Sequence, residues 1–449
     1  MEHTVYLLSL GCAKNLVDAE VMSGALKRDR FVMVDDPALA ETIIINTCGF
    51  IESAKIESIR SILELAEYKE NGCCRALLAV GCMPEKYADE MLESMPELDA
   101  VFGSRDYQEI GRRVAGILGL ELKGEPYQGD PYLLRDLPPG SVSAYLKIGE
   151  GCDNRCAYCL IPQLRGPYHS RPLDEILTEA ESLLEQGVRE VVLIAQDITR
   201  YGTDLPGKED LARLVDQVAA LPFDMVRLLY LYPDSISDGL LQVMAAHDNV
   251  CRYLDIPIQH GSDRVLAAMH RHSTAQGILD AVARVRRFLP DAVLRTTVMV
   301  GFPGESEDDF LQLLDLLEQA RFDWLGAFPY YREDDTPAAS YPDQIDEKIK
   351  QQRLDEVMRQ AAAITGSSLR RFIGQTVQVL AEAPAYEFGE GFWQGRSQYQ
   401  APEVDGVVYF RAETPVEYGA IYPVLIEDCQ VYDLVGRTTG PAISRRKDG

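Results

Sequence analysis

Between residues 152 and 159 the chain reads Cys152-Asp153-Asn154-Arg155-Cys156-Ala157-Tyr158-Cys159, three thiols with three and then two residues between them. Thiolates are ligands of soft metals and of iron–sulfur clusters. A tetrahedral zinc site needs a fourth donor, and the next candidate, His169, lies ten residues further on. Three thiolates on one loop therefore predict a four-iron cluster with three corners held by protein and one iron open to another ligand. A tight polar loop is a poor place to bury structural cysteines. The loop follows the strand-like run at 144–148, so the cluster is expected at a strand end.

The 449 residues, 46% hydrophobic and 26% charged, suffice for two to four domains with real cores. No stretch approaches the ~18 consecutive apolar residues of a membrane span. The first ten residues lack a basic leader and read as a strand. Ten cysteines are too sparse for a disulfide scaffold. Together these features predict a cytoplasmic protein. A net charge of −27 repels phosphate backbones, so unaided nucleic-acid binding would need a local basic patch, and basic partners are favoured.

Residues 1–120 alternate strand-like and helical runs. Apolar stretches at 5–10, 42–45 and 76–80 end in the turns Gly11-Cys12, Cys48-Gly49 and Gly81-Cys82, and helical periodicity follows at 18–26, 54–68 and 84–92. This repeat predicts βαβ units in an open parallel sheet, whose strand-end loops gather at one edge. Cys12, Cys48 and Cys82 are then expected to converge, although 36 and 34 residues separate them, as ligands of a second three-thiolate cluster. Cys73, Cys74, Cys251 and Cys429 are read as packing residues. Residues 121–137, rich in Gly, Pro and charge, read as a linker.

From 138 to 370 six strands (144–148, 190–195, 225–229, 253–257, 293–300 and 324–327) alternate with amphipathic helices. That pattern predicts a complete or partial (β/α) barrel of the TIM type, with chemistry at the C-terminal strand ends. Polar strand-end stretches include Gln196-Asp197, Gln259-His260 and Gly301-Phe302-Pro303-Gly304. Gln196, Asp197 and Gln259 are suited to binding amino and hydroxyl groups, and the glycines let backbone approach a ligand. His260 is read as structural. Residues 371–438 switch to short β runs at 377–381, 392–396, 407–411, 420–424 and 429–434, which predict a small antiparallel barrel. A flexible tail is expected at 439–449. Between 376 and 437 three arginines face ten carboxylates, a net −7. A phosphate-gripping barrel would be basic, so this one is expected to dock a basic protein surface or none, with no direct nucleic-acid binding.

On these residues the chain resembles the methylthiotransferases, a radical S-adenosylmethionine family, over nearly its whole length. Cys152, Cys156, Tyr158 and Cys159 match a Cys-x-x-x-Cys-x-aromatic-Cys signature. Leu10-Gly11-Cys12-Ala13-Lys14-Asn15, Asn46-Thr47-Cys48-Gly49-Phe50 and Gly81-Cys82 are similar to the family's auxiliary-site motifs. The resemblance implies an N-terminal cluster domain, a radical core and a terminal barrel of the TRAM type. It implies two 4Fe–4S clusters and S-adenosylmethionine, the auxiliary cluster on Cys12, Cys48 and Cys82 and the radical-generating one on Cys152, Cys156 and Cys159. Tyr158, Gln196, Asp197, Gln259, Gly301 and Gly304 would position the cofactor. Where the radical family at large has Gly-Gly-Glu for the cofactor's amino group, this chain has Ala195-Gln196-Asp197.

The branch most similar to this chain adds a methylthio group to the β-carbon of an aspartate in the basic small-subunit ribosomal protein S-twelve. The stretch 195–202, Asp255 with His260, and the acidic barrel point there. A tRNA-directed sister branch tends to Asn at 197, Ser at 260 and a more basic barrel; it remains an alternative, as does a non-catalytic iron–sulfur scaffold. An aspartate β-C–H is too inert for a side-chain base or nucleophile, so a radical must remove the hydrogen. The resemblance implies that the reduced core cluster cleaves S-adenosylmethionine to a 5′-deoxyadenosyl radical, with electrons from an external donor. The auxiliary cluster would carry an extra sulfur, methylated by a second S-adenosylmethionine. Both open irons must then face one cavity between the first two domains.

Overall fold

The computed structural model describes residues 3–443 other than 106, 123, 124 and 208. Strands β1 (Thr4–Ser9), β2 (Val32–Met33), β3 (Thr42–Thr47), β4 (Ala76–Gly81) and β5 (Ala100–Gly103) form a parallel sheet in the order β2-β1-β3-β4-β5. Helices α1 (Ala13–Arg28), α2 (Glu52–Ala66), α3 (Tyr68–Asn71), α4 (Cys82–Ser94) and α5 (Ile110–Leu118) connect and cover it. β3 and β4 are buried along their whole length, as the apolar runs require of central parallel strands. β2 and β5 lie at the edges and are short and half-exposed, which is why no apolar run announces them. Helix α1 begins five residues before its periodicity suggests, because its first turns bury the polar residues Lys14, Asn15 and Asp18.

The central unit is an open six-stranded parallel sheet built from β6 (Ser143–Lys147), β9 (Glu190–Ile194), β10 (Met225–Leu228), β11 (Val250–Asp255), β12 (Val293–Val300) and β13 (Trp324–Pro329). A two-stranded ribbon, β7 (Gly149–Glu150) with β8 (His169–Ser170), follows β6. Alternation of side chains sets the two faces. Leu146, Val191, Leu193, Val226 and Leu228 point out to the helices, whereas Tyr145, Val192, Met225, Tyr253 and Trp324 point inward.

The inner face is occupied by the last unit. β14 (Thr376–Pro384), β15 (Phe392–Ser397), β16 (Val408–Arg411), β17 (Ile421–Cys429) and β18 (Leu434–Thr438) close a barrel in the order β14-β15-β16-β18-β17. Its pairings are antiparallel except β16 with β18, which is parallel. The run expected as a strand at 429–434 is a turn: Cys429 ends β17 and Leu434 opens β18, with the Gln430 amide bonded to the Asp433 carbonyl at 2.8 Å. Part of the expected tail is tied down as well, since the Thr439 and Ile443 amides donate to Pro423 and Ile421. Residues 444–449 lie outside the described residues.

The barrel shares one apolar core with the inner sheet face. At its centre Glu190 of β9 accepts from Arg227 (2.8 Å) and from Arg396 of the barrel (2.6 Å). Arg227 also donates to the Ser397 and Gln398 carbonyls, and the Trp324 indole to the Tyr399 carbonyl. Residues 131–136 of the expected linker are equally fixed. The turn Pro131–Leu134 lies on α1, where Gly24 leaves no room for a Cβ against the Leu134 backbone. Asp136 bonds Ser23 at 2.6 Å and Lys27 at 2.7 Å.

Burial opposes ionisation of Glu190, yet Arg396 and Arg227 hold its carboxyl down at about 2. A depressed folded-state value gives stability that is complete above the ordinary 4.5 and lost as pH falls toward 2. Amide hydrogen exchange of the barrel strands should therefore rise across that window. Glu190→Gln leaves two buried guanidiniums facing each other and should cost about 3 kcal/mol, with fast barrel exchange already at neutral pH.

Candidate active site

Strands β1, β3 and β4 lie side by side, so the loops after them meet, and these loops carry Cys12, Cys48 and Cys82. Asn15 ties them together. Its Nδ2 donates to the carbonyls of Leu10 (2.8 Å) and Thr47 (3.1 Å), and its own carbonyl accepts from Asn46 Nδ2 (2.7 Å). Gly11 has φ +93°, and a Cβ there would stand 2.8 Å from Cys48 Cβ, so only glycine lets the first two loops close. The Cys48 amide donates to Ser58 Oγ of α2 at 3.1 Å.

The loop 152–159 runs on from β7 and faces these three. Its bends are held by the Cys152 amide on the Gly166 carbonyl (3.1 Å), the Ala157 amide on Met269 (3.0 Å) and Asn154 Nδ2 on Asp197 (2.8 Å). Cys156 Sγ lies 3.2 Å from the Tyr232 hydroxyl, and the Arg271 guanidinium stacks 3.7 Å over the Tyr232 ring.

All six of these cysteines line one cavity of about 380 Å³ together with Tyr158, Gln196 and Gln259. Asp197 is not on its wall; the carboxylate caps Thr199 and braces Asn154, and burial raises its pKa. Gly301 and Gly304 are also absent from the wall. The Gly301 amide donates to Glu305 (2.7 Å) and the Gly304 amide to the Asp343 carbonyl (2.9 Å), while Phe302 between them packs under Ala157. That turn supports the floor of the cysteine loop. His260 is fully buried, accepts from the Ser262 amide and stays off the wall. Of the remaining cysteines, Cys74 and Cys251 are core residues, whereas Cys73 is exposed.

The donor set suits clusters and S-adenosylmethionine. All ten cysteines are free thiols. Among the described residues no three His, Cys, Asp or Glu side chains are gathered tightly enough for a single ion, whereas the corners of a polynuclear cluster stand further apart. Burial pushes the Cys152 thiol up to about 11 and Cys82 to about 12, and raises Cys48 and Cys159. These sulfurs are therefore inert until a cation replaces their protons. Gln196 and Gln259 each present a buried Oε1 with no protein donor, acceptors ready for an ammonium or hydroxyl group.

Comparison with known proteins agrees with this geometry. The Radical SAM superfamily profile matches residues 146–317, that of the uncharacterized protein family UPF0004 matches 4–103, and that of the TRAM domain matches 373–439. The ribosomal protein uS12 methylthiotransferase RimO of Geobacter sulfurreducens is 46% identical, covering 96% of this chain and 98% of its own. The protein of the same name from Clostridioides difficile is 44% identical over 96% and 98%. The chain belongs to the RimO methylthiotransferase family. Among solved structures it shares a fold with the radical S-adenosylmethionine methyltransferase TsrM of Kitasatospora setae, bound to cobalamin and a [4Fe-4S] cluster (TM-score 0.57, 13% identity, 75% of this chain and 74% of that one). No described helix is long and apolar enough to cross a membrane.

In this RimO-family chain Arg165 on the cavity wall is held from behind by buried charges that no motif marks. Lys147 at the end of β6 donates to Asp18 and Glu150, both at 2.6 Å. Arg165, after the cysteine loop, reaches Asp18 (2.6 Å), Glu150 (3.3 Å) and Cys82 Sγ (3.1 Å), and also bonds Asn15. Gln196 Nε2 donates to Glu150 at 2.6 Å. Burial alone would raise the Glu150 carboxyl, but Lys147 and Arg165 overcome it and hold it far below the usual range. Removing one member leaves an uncompensated buried charge. Asp18→Ala should thus lower unfolding stability by about 3 kcal/mol, read as a lower Tm, while Glu64→Ala in the exposed Arg60–Glu64 pair should leave Tm unchanged.

Proposed function

We propose that the enzyme adds a methylthio group to the β-carbon of an aspartate of small-subunit ribosomal protein uS12. The observation that carries the reading is the facing of two cysteine trios across one cavity. Cys152, Cys156 and Cys159 would hold one 4Fe–4S cluster, and Cys12, Cys48 and Cys82 a second. Bound there, the two clusters and S-adenosylmethionine would supply radical chemistry able to take an unactivated hydrogen, and a sulfur open to methylation. The chain's own residues then bind and orient. The unpaired oxygens of Gln196 and Gln259 accept from the cofactor's polar groups, and the Tyr158 backbone lines its seat. Asp197 and the Gly301–Gly304 turn act behind the wall by bracing the cysteine loop. Tyr232 and Arg271 hold Cys156 in place, and Arg165 orients Cys82.

Charge favours a basic protein over tRNA as the partner. Among the described residues eleven buried cations face eleven buried carboxylates, so the excess behind the net −27 sits at the accessible surface. The barrel stays acidic outside while its Arg396 points inward to Glu190. Such a surface attracts a basic partner and repels a phosphate backbone. Electrons come from an external reductant.

Anaerobic reconstitution followed by mass spectrometry of uS12 and of tRNA tests the reading. Cys156→Ala should abolish 5′-deoxyadenosine formation. Cys48→Ala should retain it, lose methylthio transfer and bind about half the iron. Methylthiolation of tRNA with uS12 untouched would overturn the substrate assignment, and unchanged iron in Cys48→Ala the second cluster.

A further inference from the structure

Lys14 stands in the first turn of α1, two residues beyond Cys12, and is only 7% exposed. It lines the cavity, with Nζ 3.3 Å from the centroid of the Tyr230 ring, a cation–π contact. Among the described residues it makes no hydrogen bond or ion pair. The other cations of the wall are engaged: Arg165 by Asp18 (2.6 Å), Arg295 by Asp255 (2.9 Å) and Arg271 by the Pro257 carbonyl (2.7 Å). Asp255, the carboxylate on the same wall, is taken by Arg295 and by the Tyr230 amide at 3.1 Å. Cys12, Glu150 and Asp255 lie within the field of Lys14 but none bonds it, so its N–H donors are open to a ligand. An anion entering the cavity would meet this ammonium with its donors unused.

We propose that Lys14 receives the side-chain carboxylate of the aspartate that is modified. The assignment rests on the function proposed above. In aspartate the β-carbon is bonded directly to the carboxylate carbon. A charge-assisted hydrogen bond to that carboxylate therefore fixes where the β-C–H points, which is the positioning that hydrogen abstraction needs. The Tyr230 face restrains the flexible lysine stem, so the ammonium is presented in advance. An ammonium donor also favours a carboxylate over asparagine or a neutral base, because the charge-assisted bond is the stronger. S-adenosylmethionine carries a carboxylate too, and the experiment must separate the two sources.

The test uses reconstituted full-length enzyme and purified uS12 carrying either the target aspartate or an Asp→Asn substitution at that position. The native enzyme is expected to bind the aspartate form at least about tenfold more tightly by fluorescence anisotropy, a charge-assisted bond being worth roughly that ratio. Lys14→Met should erase the preference by weakening the aspartate form to the level of the other, and Lys14→Arg should restore most of it. S-adenosylmethionine affinity, read by calorimetry, should be equal in native enzyme and Lys14→Met. A preference that survives in Lys14→Met overturns the proposal, as does its absence from native enzyme. A loss of cofactor affinity with the preference intact also overturns it and gives the ammonium to the cofactor's carboxylate. If native enzyme leaves uS12 unmodified, the substrate assignment itself fails, an outcome independent of any Lys14 variant.

Discussion

Helix α1 presents Asp18 to cations of the central unit and Glu20 to Arg135 just before it, and the rest of the architecture depends on those contacts. Asp18 meets Lys147 and Arg165, and Glu20 meets Arg135, whose other donors reach Glu179 at 2.6 Å and the Tyr145 carbonyl at 2.6 Å. Ion pairs this deeply buried add little net stability over an apolar contact, because desolvation offsets most of the attraction. Their directionality is what matters here. An apolar face tolerates sliding, whereas a lysine and an arginine sharing two carboxylates have one satisfactory arrangement. Since α1 begins at the residue after Cys12, fixing its two carboxylates fixes where the auxiliary thiols stand relative to the loop 152–159.

The two thiol trios reach similar ends by different routes. The compact one needs only a loop with the right bends, held by a few backbone bonds and by Asn154 on Asp197. The scattered one needs a sheet, because its three members come from three crossovers and meet only if β1, β3 and β4 are neighbours. Asn15 and Gly11 convert that proximity into closure, one by bonding two loops at once and the other by lacking a side chain. Arg165 then joins the routes: it follows the compact loop in sequence and touches a thiol of the scattered trio.

This difference explains what could be read from sequence. The compact trio, the βα alternation and the central strands were legible because periodicity and local spacing carry them. The convergence of Cys12, Cys48 and Cys82 was legible only through the rule that strand-end loops gather at one sheet edge. Lys147 and Arg165 were hidden, since their shared partner Asp18 lies on another unit, and nothing local distinguishes them or Glu150 from surface charges. Gly301 and Gly304 misled for a related reason. A glycine turn at a strand end looks ligand-facing, but Glu305 one residue on folds back to take the turn's own amides. The strand placed at 429–434 failed because β17 outlasts its apolar pattern through a bulge near Ile426 and Asp428, pushing the turn into residues that read as strand.

The barrel shows how an acidic module can pack against its own acidic chain. Its seat is made from the few arginines it and the core possess, turned inward onto Glu190, with apolar residues around them. One further contact links this seat to the chemistry. Asp405 of the barrel accepts from the Tyr253 hydroxyl at 2.7 Å and pairs with Arg295 at 3.3 Å, and Arg295 in turn holds Asp255 on the cavity wall. Burial raises the Asp405 pKa, while Arg295, the Ala401 amide and the Tyr253 hydroxyl oppose the rise. Through Asp405 and Arg295 the barrel thus reaches the wall where Lys14 and Tyr230 stand. On the function proposed above, the acidic exterior would draw a basic protein and the Lys14 ammonium would receive the acidic side chain it delivers, so charge outside and charge within would select for different features of one substrate.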